Sequence, residues 1–167
     1  QEGQAIYSGS WGGYRASAGY QFADASQGLS NAYNASLGYT FGFGMGVGLG
    51  AESRNFDQNV GSNTNLDSNN RWAISTSYGT QGAPGFYAAG LYTAATKTYY
   101  AGAADTDEQG WELYGSYTTE NKWTFIGGYN RYYQKDQGAD VTGYYVADAQ
   151  YNFTSNFYGY TEYLFDQ

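Results

Sequence analysis

An antiparallel, up-and-down transmembrane β-barrel is the fold this 167-residue sequence predicts, and three observations predict it. Apolar and polar residues alternate with period two along most of the chain. The alternating segments run to about ten residues, the length a tilted strand needs to cross a bilayer. On the apolar parity, Tyr, Trp and Phe stand at the segment ends and small or aliphatic residues between them. Amphipathic rings settle at the two headgroup levels, so paired aromatic girdles around a bland band mark a membrane-crossing sheet.

Ten segments carry the pattern: 3–10, 14–23, 32–41, 43–54, 71–80, 86–97, 110–119, 123–133, 143–153 and 157–166. The first turns at Trp11-Gly12-Gly13 into 14–23, where Tyr14, Ala16, Ala18, Tyr20 and Phe22 oppose Arg15, Ser17, Gly19 and Gln21. In 32–41, Tyr33, Ala35, Leu37, Tyr39 and Phe41 oppose Asn34, Ser36, Gly38 and Thr40. The uncharged stretch Ala25 to Ala51 invites a helical span, but its glycines and its Asn, Ser and Thr at alternate positions fit two strands joined at Gly42. The second of these, 43–54, has Gly44, Gly46, Gly48 and Gly50 on its polar parity. Strand curvature is the plainer reading of that run, and a groove where a loop or solute approaches the wall is the sharper one.

The next four segments share one outward motif: Trp72, Ile74, Thr76, Tyr78; Phe86, Ala88, Gly90, Tyr92; Trp111, Leu113, Gly115, Tyr117; and Trp123, Phe125, Gly127, Tyr129. In 143–153, Tyr145, Ala147, Ala149, Tyr151 and Phe153 oppose Tyr144, Val146, Asp148, Gln150 and Asn152. A Tyr-x-Phe pair closes the outward face at Tyr20/Phe22, Tyr39/Phe41, Tyr151/Phe153 and, in the last segment, Tyr163/Phe165. Connections alternate in length. Short turns lie at 11–13, Gly42, 81–85 (with the one proline, Pro84), 120–122 and 154–156, and long polar loops at 24–31, 55–70, 98–109 and 134–142. Such a meander has its ends in two compartments, with the long loops expected outside the cell.

Composition excludes several functions. The chain has 21 Tyr, 9 Phe, 4 Trp and 25 Gly, but no Cys and no His. A His-based triad, a Cys nucleophile and a zinc site of His or thiolate type are therefore out, and no cofactor is expected. The absence of Cys leaves the compartment open. A net charge of -8 argues against nucleic acid, whose backbone requires a basic surface. Charged residues make up 13% of the chain, about half the usual share, yet mean hydropathy is only -0.63. Low-complexity disorder competes for such a Tyr- and Gly-rich composition, and the periodicity of the aromatics decides against it. No signal peptide is visible, so the sequence reads as mature or internal.

The ordered series of strands resembles the general diffusion porins of the Gram-negative outer membrane. The residues that carry the resemblance are Trp111 to Tyr117, Phe125 to Tyr129, Val146 to Phe153 and Tyr160 to Tyr163, preceded by Arg71-Trp72-Ala73 and Phe43 to Ala51. The resemblance implies a trimer of 16-stranded barrels, each with a constriction loop in its lumen. It aligns these ten strands with strands six to fifteen, and the expectation is an incomplete porin, without the first five strands, the constriction loop or the closing strand. It also implies outer-membrane lipids and lipopolysaccharide as surroundings and small hydrophilic solutes as cargo. Glu162 matches an acidic wall position of the family, whereas Thr124 stands where the family has an arginine.

On the polar parity, Arg15, Glu52, Arg54, Arg71, Glu112, Asp148, Glu162 and Asp166 are the expected pore-lining set. With acids in excess, they favour a water-filled pore of weak cation preference. Asp105, Asp107 and Glu108 read as a solvated loop, with collection of divalent cations as the sharper alternative and no metal site assigned. Enzymes among outer-membrane barrels resemble one another in using a catalytic His, absent here, and no isolated carboxylate pair stands out for acid/base work. The competing function is a small, closed ten-stranded barrel acting as an adhesin or anchor, which calls for bulky residues meshed across a narrow interior.

Overall fold

The computed structural model describes residues 3–23, 29–56, 68–98, 106–135, 139–154 and 156–166, without the side chains at 97, 98, 106 and 139–141. Ten strands account for nearly all of it: β1 (Gln4–Trp11), β2 (Tyr14–Gln21), β3 (Leu29–Thr40), β4 (Met45–Phe56), β5 (Ser68–Tyr78), β6 (Gly85–Thr98), β7 (Thr106–Thr118), β8 (Trp123–Gln134), β9 (Ala139–Thr154) and β10 (Phe157–Asp166). They form one sheet in sequence order, each strand antiparallel to the next. β1 and β10 are its edges and do not pair with each other, so the closed ten-stranded barrel is not formed. Each edge presents a row of backbone groups that lipid cannot satisfy.

Several strands run further than the alternation predicts. β3 begins at Leu29, β5 at Ser68, β7 at Thr106 and β9 at Ala139, all inside segments expected as loops. Beyond the bilayer both faces meet water, so the two-residue apolar period disappears while the backbone ladder continues. Polar side chains reinforce that extension: Asn55 Nδ2 donates to Asn31 Oδ1 at 2.7 Å across β3 and β4. Residues 24–28, 57–67, 99–105 and 136–138 of the expected long loops lie outside the described residues.

The fold has no apolar core in the ordinary sense. Among the described residues, the buried hydrophobic side chains are Leu29, Ala32 and Ala95, whereas Leu37, Leu49, Ile74 and Leu113 are about half exposed. All four exposed residues lie on the predicted outward parity, together with most of the aromatics. Contiguous apolar surface on this scale is not tolerated in water, and it is the surface a strand presents to lipid.

The outward aromatics form two belts. In seven strands the pairs Tyr14/Tyr20, Tyr33/Tyr39, Trp72/Tyr78, Phe86/Tyr92, Trp111/Tyr117, Trp123/Tyr129 and Tyr145/Tyr151 are each six residues apart, roughly 20 Å along a strand. Neighbouring rings touch along each belt. At the short-turn end, Tyr14 and Tyr39 have centroids 4.5 Å apart, and Trp123 and Tyr151 5.0 Å. At the long-loop end, Trp72–Tyr92 (5.1 Å), Tyr92–Trp111 (4.3 Å) and Tyr129–Tyr145 (4.8 Å) continue the contact from β5 to β9, with a gap between β7 and β8. Each of the four Tyr-x-Phe pairs is in ring contact, two at either end of the sheet.

The corner placed at Gly42 is a four-residue turn, Phe41 to Gly44, in which Gly44 N–H donates to Phe41 O at 3.0 Å. The turn also serves its neighbour, because Gly79 N–H donates to Gly44 O at 3.1 Å. Gly79 has φ +86°, and a Cβ there would run into the Phe86 carbonyl oxygen. Gly79→Ala therefore combines a left-handed conformation that costs about 1–2 kcal/mol with a backbone clash. Its expected result is a lower midpoint in urea unfolding from detergent micelles, whereas alanine at Gly82, also at positive φ but in open space, costs less.

Candidate lumen wall

Register fixes what the opposite face of the sheet contains. All eight residues expected to line a pore lie on it. Arg15 aligns through Gly38, Gly48, Ser75 and Leu91 with Glu112, and onward through Asn130 and Tyr144 with Asp166. Glu52 is directly opposite Arg71, and Arg54 opposite Asn69. Asp148 is directly opposite Glu162. That this face is concave follows from its cavities: one of about 530 Å³ is lined by residues from Ser17 on β2 to Tyr132 on β8, which a flat sheet could not bring together.

The charges are segregated. Arg15, Arg54 and Arg71 stand on β2, β4 and β5, with Glu52 held to Arg54 by an ion pair of 2.7 Å from Nε to Oε1. Glu112, Asp148, Glu162 and Asp166 stand on β7, β9 and β10, joined by Glu108 on β7. Among the described side chains, no base faces inward from β7 to β10. One half of the wall is therefore net positive and the other uniformly negative, an arrangement that no periodicity reveals. Asp148 and Glu162 are like charges in direct cross-strand contact, a pairing that destabilises a sheet. Asp148 Oδ1 is buried and has no hydrogen-bond partner among the described residues.

Side-chain size is segregated as well. Small residues prevail on β2 to β5, where Ser17 and Ser36 hydroxyls lie 2.8 Å apart and Gly38, Gly46, Gly48 and Gly50 floor a cavity of about 700 Å³. At Gly46 and Gly48 a Cβ would approach the hydroxyls of Ser77 and Ser75 to 2.8 and 2.6 Å, so these glycines make room for facing serines. Gly44 belongs to the turn rather than to this run. On β6 to β9 the same face carries Tyr87, Leu91, Tyr114, Ile126, Tyr132, Tyr144 and Val146. Tyr87 and Tyr114 are in ring contact at 5.8 Å. Alternation placed these residues inward, but their type was masked by the polar average of the parity.

The acidic run near β7 separates. Asp107 and Glu108 are consecutive residues of a strand and so point to opposite faces, which prevents them from converging on a cation. Asp105 lies outside the described residues. Among those described, no group of three acidic residues is placed to hold a metal ion. Glu108, expected in a solvated loop, is instead a buried wall residue at 8% exposure. Among the described residues, the outward face carries no charged side chain between the two aromatic belts.

A family model described as Gram-negative porin matches residues 2–167. The chain belongs to the Gram-negative porin family. This porin chain is therefore part of an outer-membrane β-barrel. Its fold is similar to that of OmpF from Salmonella typhi, solved in complex with daunomycin, at a TM-score of 0.78 and 20% identity, over 98% of this chain and 54% of that one. It is also similar to OmpT from Vibrio cholerae, solved in a trimer form, at a TM-score of 0.69 and 22% identity, over 98% of this chain and 53% of that one. The porin chain thus spans about half the length of the solved structures it matches. Comparison with the curated proteins finds no match.

Proposed function

We propose that the concave face lines a water-filled channel through which small hydrophilic solutes and ions diffuse passively, with a weak preference for cations. The observation that carries this reading is the partition of the strands' charges: the eight ionisable residues of the expected set face inward, and none faces outward between the belts. With Glu108 the inward charges among the described residues are six acids, Glu52, Glu108, Glu112, Asp148, Glu162 and Asp166, against Arg15, Arg54 and Arg71. Carboxylate excess on a pore wall favours cations. A passive pore of this kind uses no cofactor and makes no covalent step.

The long connections 24–31, 55–70, 98–109 and 134–142 are proposed to lie on the extracellular side. There Arg131, outward-facing beyond Tyr129 and with its guanidinium 5.5 Å from the Tyr133 ring centroid, is set at headgroup level among lipid and lipopolysaccharide phosphates. A homotrimer is proposed, as in the trimer form of the Vibrio cholerae OmpT. The adhesin or anchor reading lacks support from the open sheet, whose interior is not meshed across.

The test is single-channel recording in planar bilayers. Purified full-length protein is expected to give stepwise, ohmic conductance in KCl, and a protein that folds into the bilayer yet carries no current would sink the channel reading.

A further inference from the structure

At the long-loop end of the concave face, Arg71 on β5 pairs in register with Ala95 on β6, which pairs with Glu108 on β7. The arginine and the glutamate therefore share one row, two strand spacings or about 9.6 Å apart, with Ala95 in register between them. Both line the cavity of about 530 Å³. Glu108 is 8% exposed, and its Oε1 has no hydrogen-bond partner among the described residues. A buried carboxylate oxygen without a donor is costly, and native structures rarely retain one without a use. Arg71 commits its Nε to Asn69 Oδ1 at 3.1 Å, which leaves the terminal amino groups of its guanidinium as the remaining donors. The nearby Glu52 is taken by Arg54.

We infer that this cavity is a binding subsite for small zwitterionic solutes, amino acids and short peptides, with the ammonium group on Glu108 and the carboxylate on Arg71. The two wall charges are opposite, separated and held apart by their strands, so a solute carrying both charges satisfies both at once, and a singly charged solute satisfies one. The guanidinium fork suits a carboxylate, and an ammonium is complementary in charge to the Glu108 carboxylate. The inference rests on the reading of this face as a channel lumen and names the solute class that the lumen retains.

The test is concentration-dependent block of the ion current through the full-length protein by glycylglycine, glycinamide and N-acetylglycinate. Glycylglycine is expected to block at a concentration about tenfold below either singly charged compound. Glu108→Gln should raise the blocking concentration of glycylglycine and glycinamide and leave N-acetylglycinate unchanged. Arg71→Gln should do so for glycylglycine and N-acetylglycinate only. The double variant Arg71→Glu with Glu108→Arg, which presents the same two charges in reverse, should recover glycylglycine block. Equal block by all three compounds, or block indifferent to either residue, overturns the subsite while leaving the channel intact. An absence of current in the unaltered protein overturns the channel reading and the subsite with it.

Discussion

Ile74→Arg is expected to destabilise the folded protein in lipid by about 2–4 kcal/mol, whereas Ser75→Arg, one residue along the same strand, costs far less. Ile74 lies between Trp72 and Tyr78 on the outward face of β5, in register with Leu49 on one side and Tyr92 on the other, where no acidic side chain faces outward to pair with a guanidinium. Ser75 faces the concave side in the row that contains Arg15 and Glu112, opposite Gly48, which has no side chain to obstruct a larger residue. The comparison is made by urea unfolding of both variants refolded into lipid vesicles. Equal destabilisation would contradict the assignment of the two faces, since overall instability of β5 would penalise both variants alike.

Neutralising three of the five acids on the acidic half of the wall is expected to abolish cation preference. The triple variant Glu112→Gln, Asp148→Asn, Glu162→Gln leaves Glu52, Glu108 and Asp166 against Arg15, Arg54 and Arg71, an even balance. In a KCl gradient the reversal potential should fall toward zero, with a permeability ratio of about one. Arg15→Gln should shift it the other way. These substitutions are not expected to weaken folding, because Asp148 and Glu162 are directly opposed like charges whose neutralisation relieves repulsion. A triple variant as cation-preferring as the parent would show that selectivity is set elsewhere in the barrel.

Much of the fold was legible residue by residue. Tyr14, Ala16, Ala18 and Tyr20 against Arg15, Ser17 and Gly19 state both that β2 is a strand and which side of it meets lipid. Legibility failed where one face stops being apolar: Glu108 and the first residues of β7 looked like loop because both faces there are polar. The role of the glycines was also hidden, since Gly46 and Gly48 become intelligible only with Ser77 and Ser75 beside them.

The sequence by itself determined strand, face and belt, because the pleat alternates every two residues and each of those properties is local. Only the tertiary structure decided that Arg71, Ala95 and Glu108 share a row and that Asp148 meets Glu162. Those facts depend on register between strands, set by turn length and by irregularities such as the shift between Ala95 and Thr98. A slip of one residue would turn every side chain to the other face. A slip of two would keep each side chain on its face and redistribute all the charge pairs. The alternation excludes the first slip, and turn length together with such irregularities excludes the second.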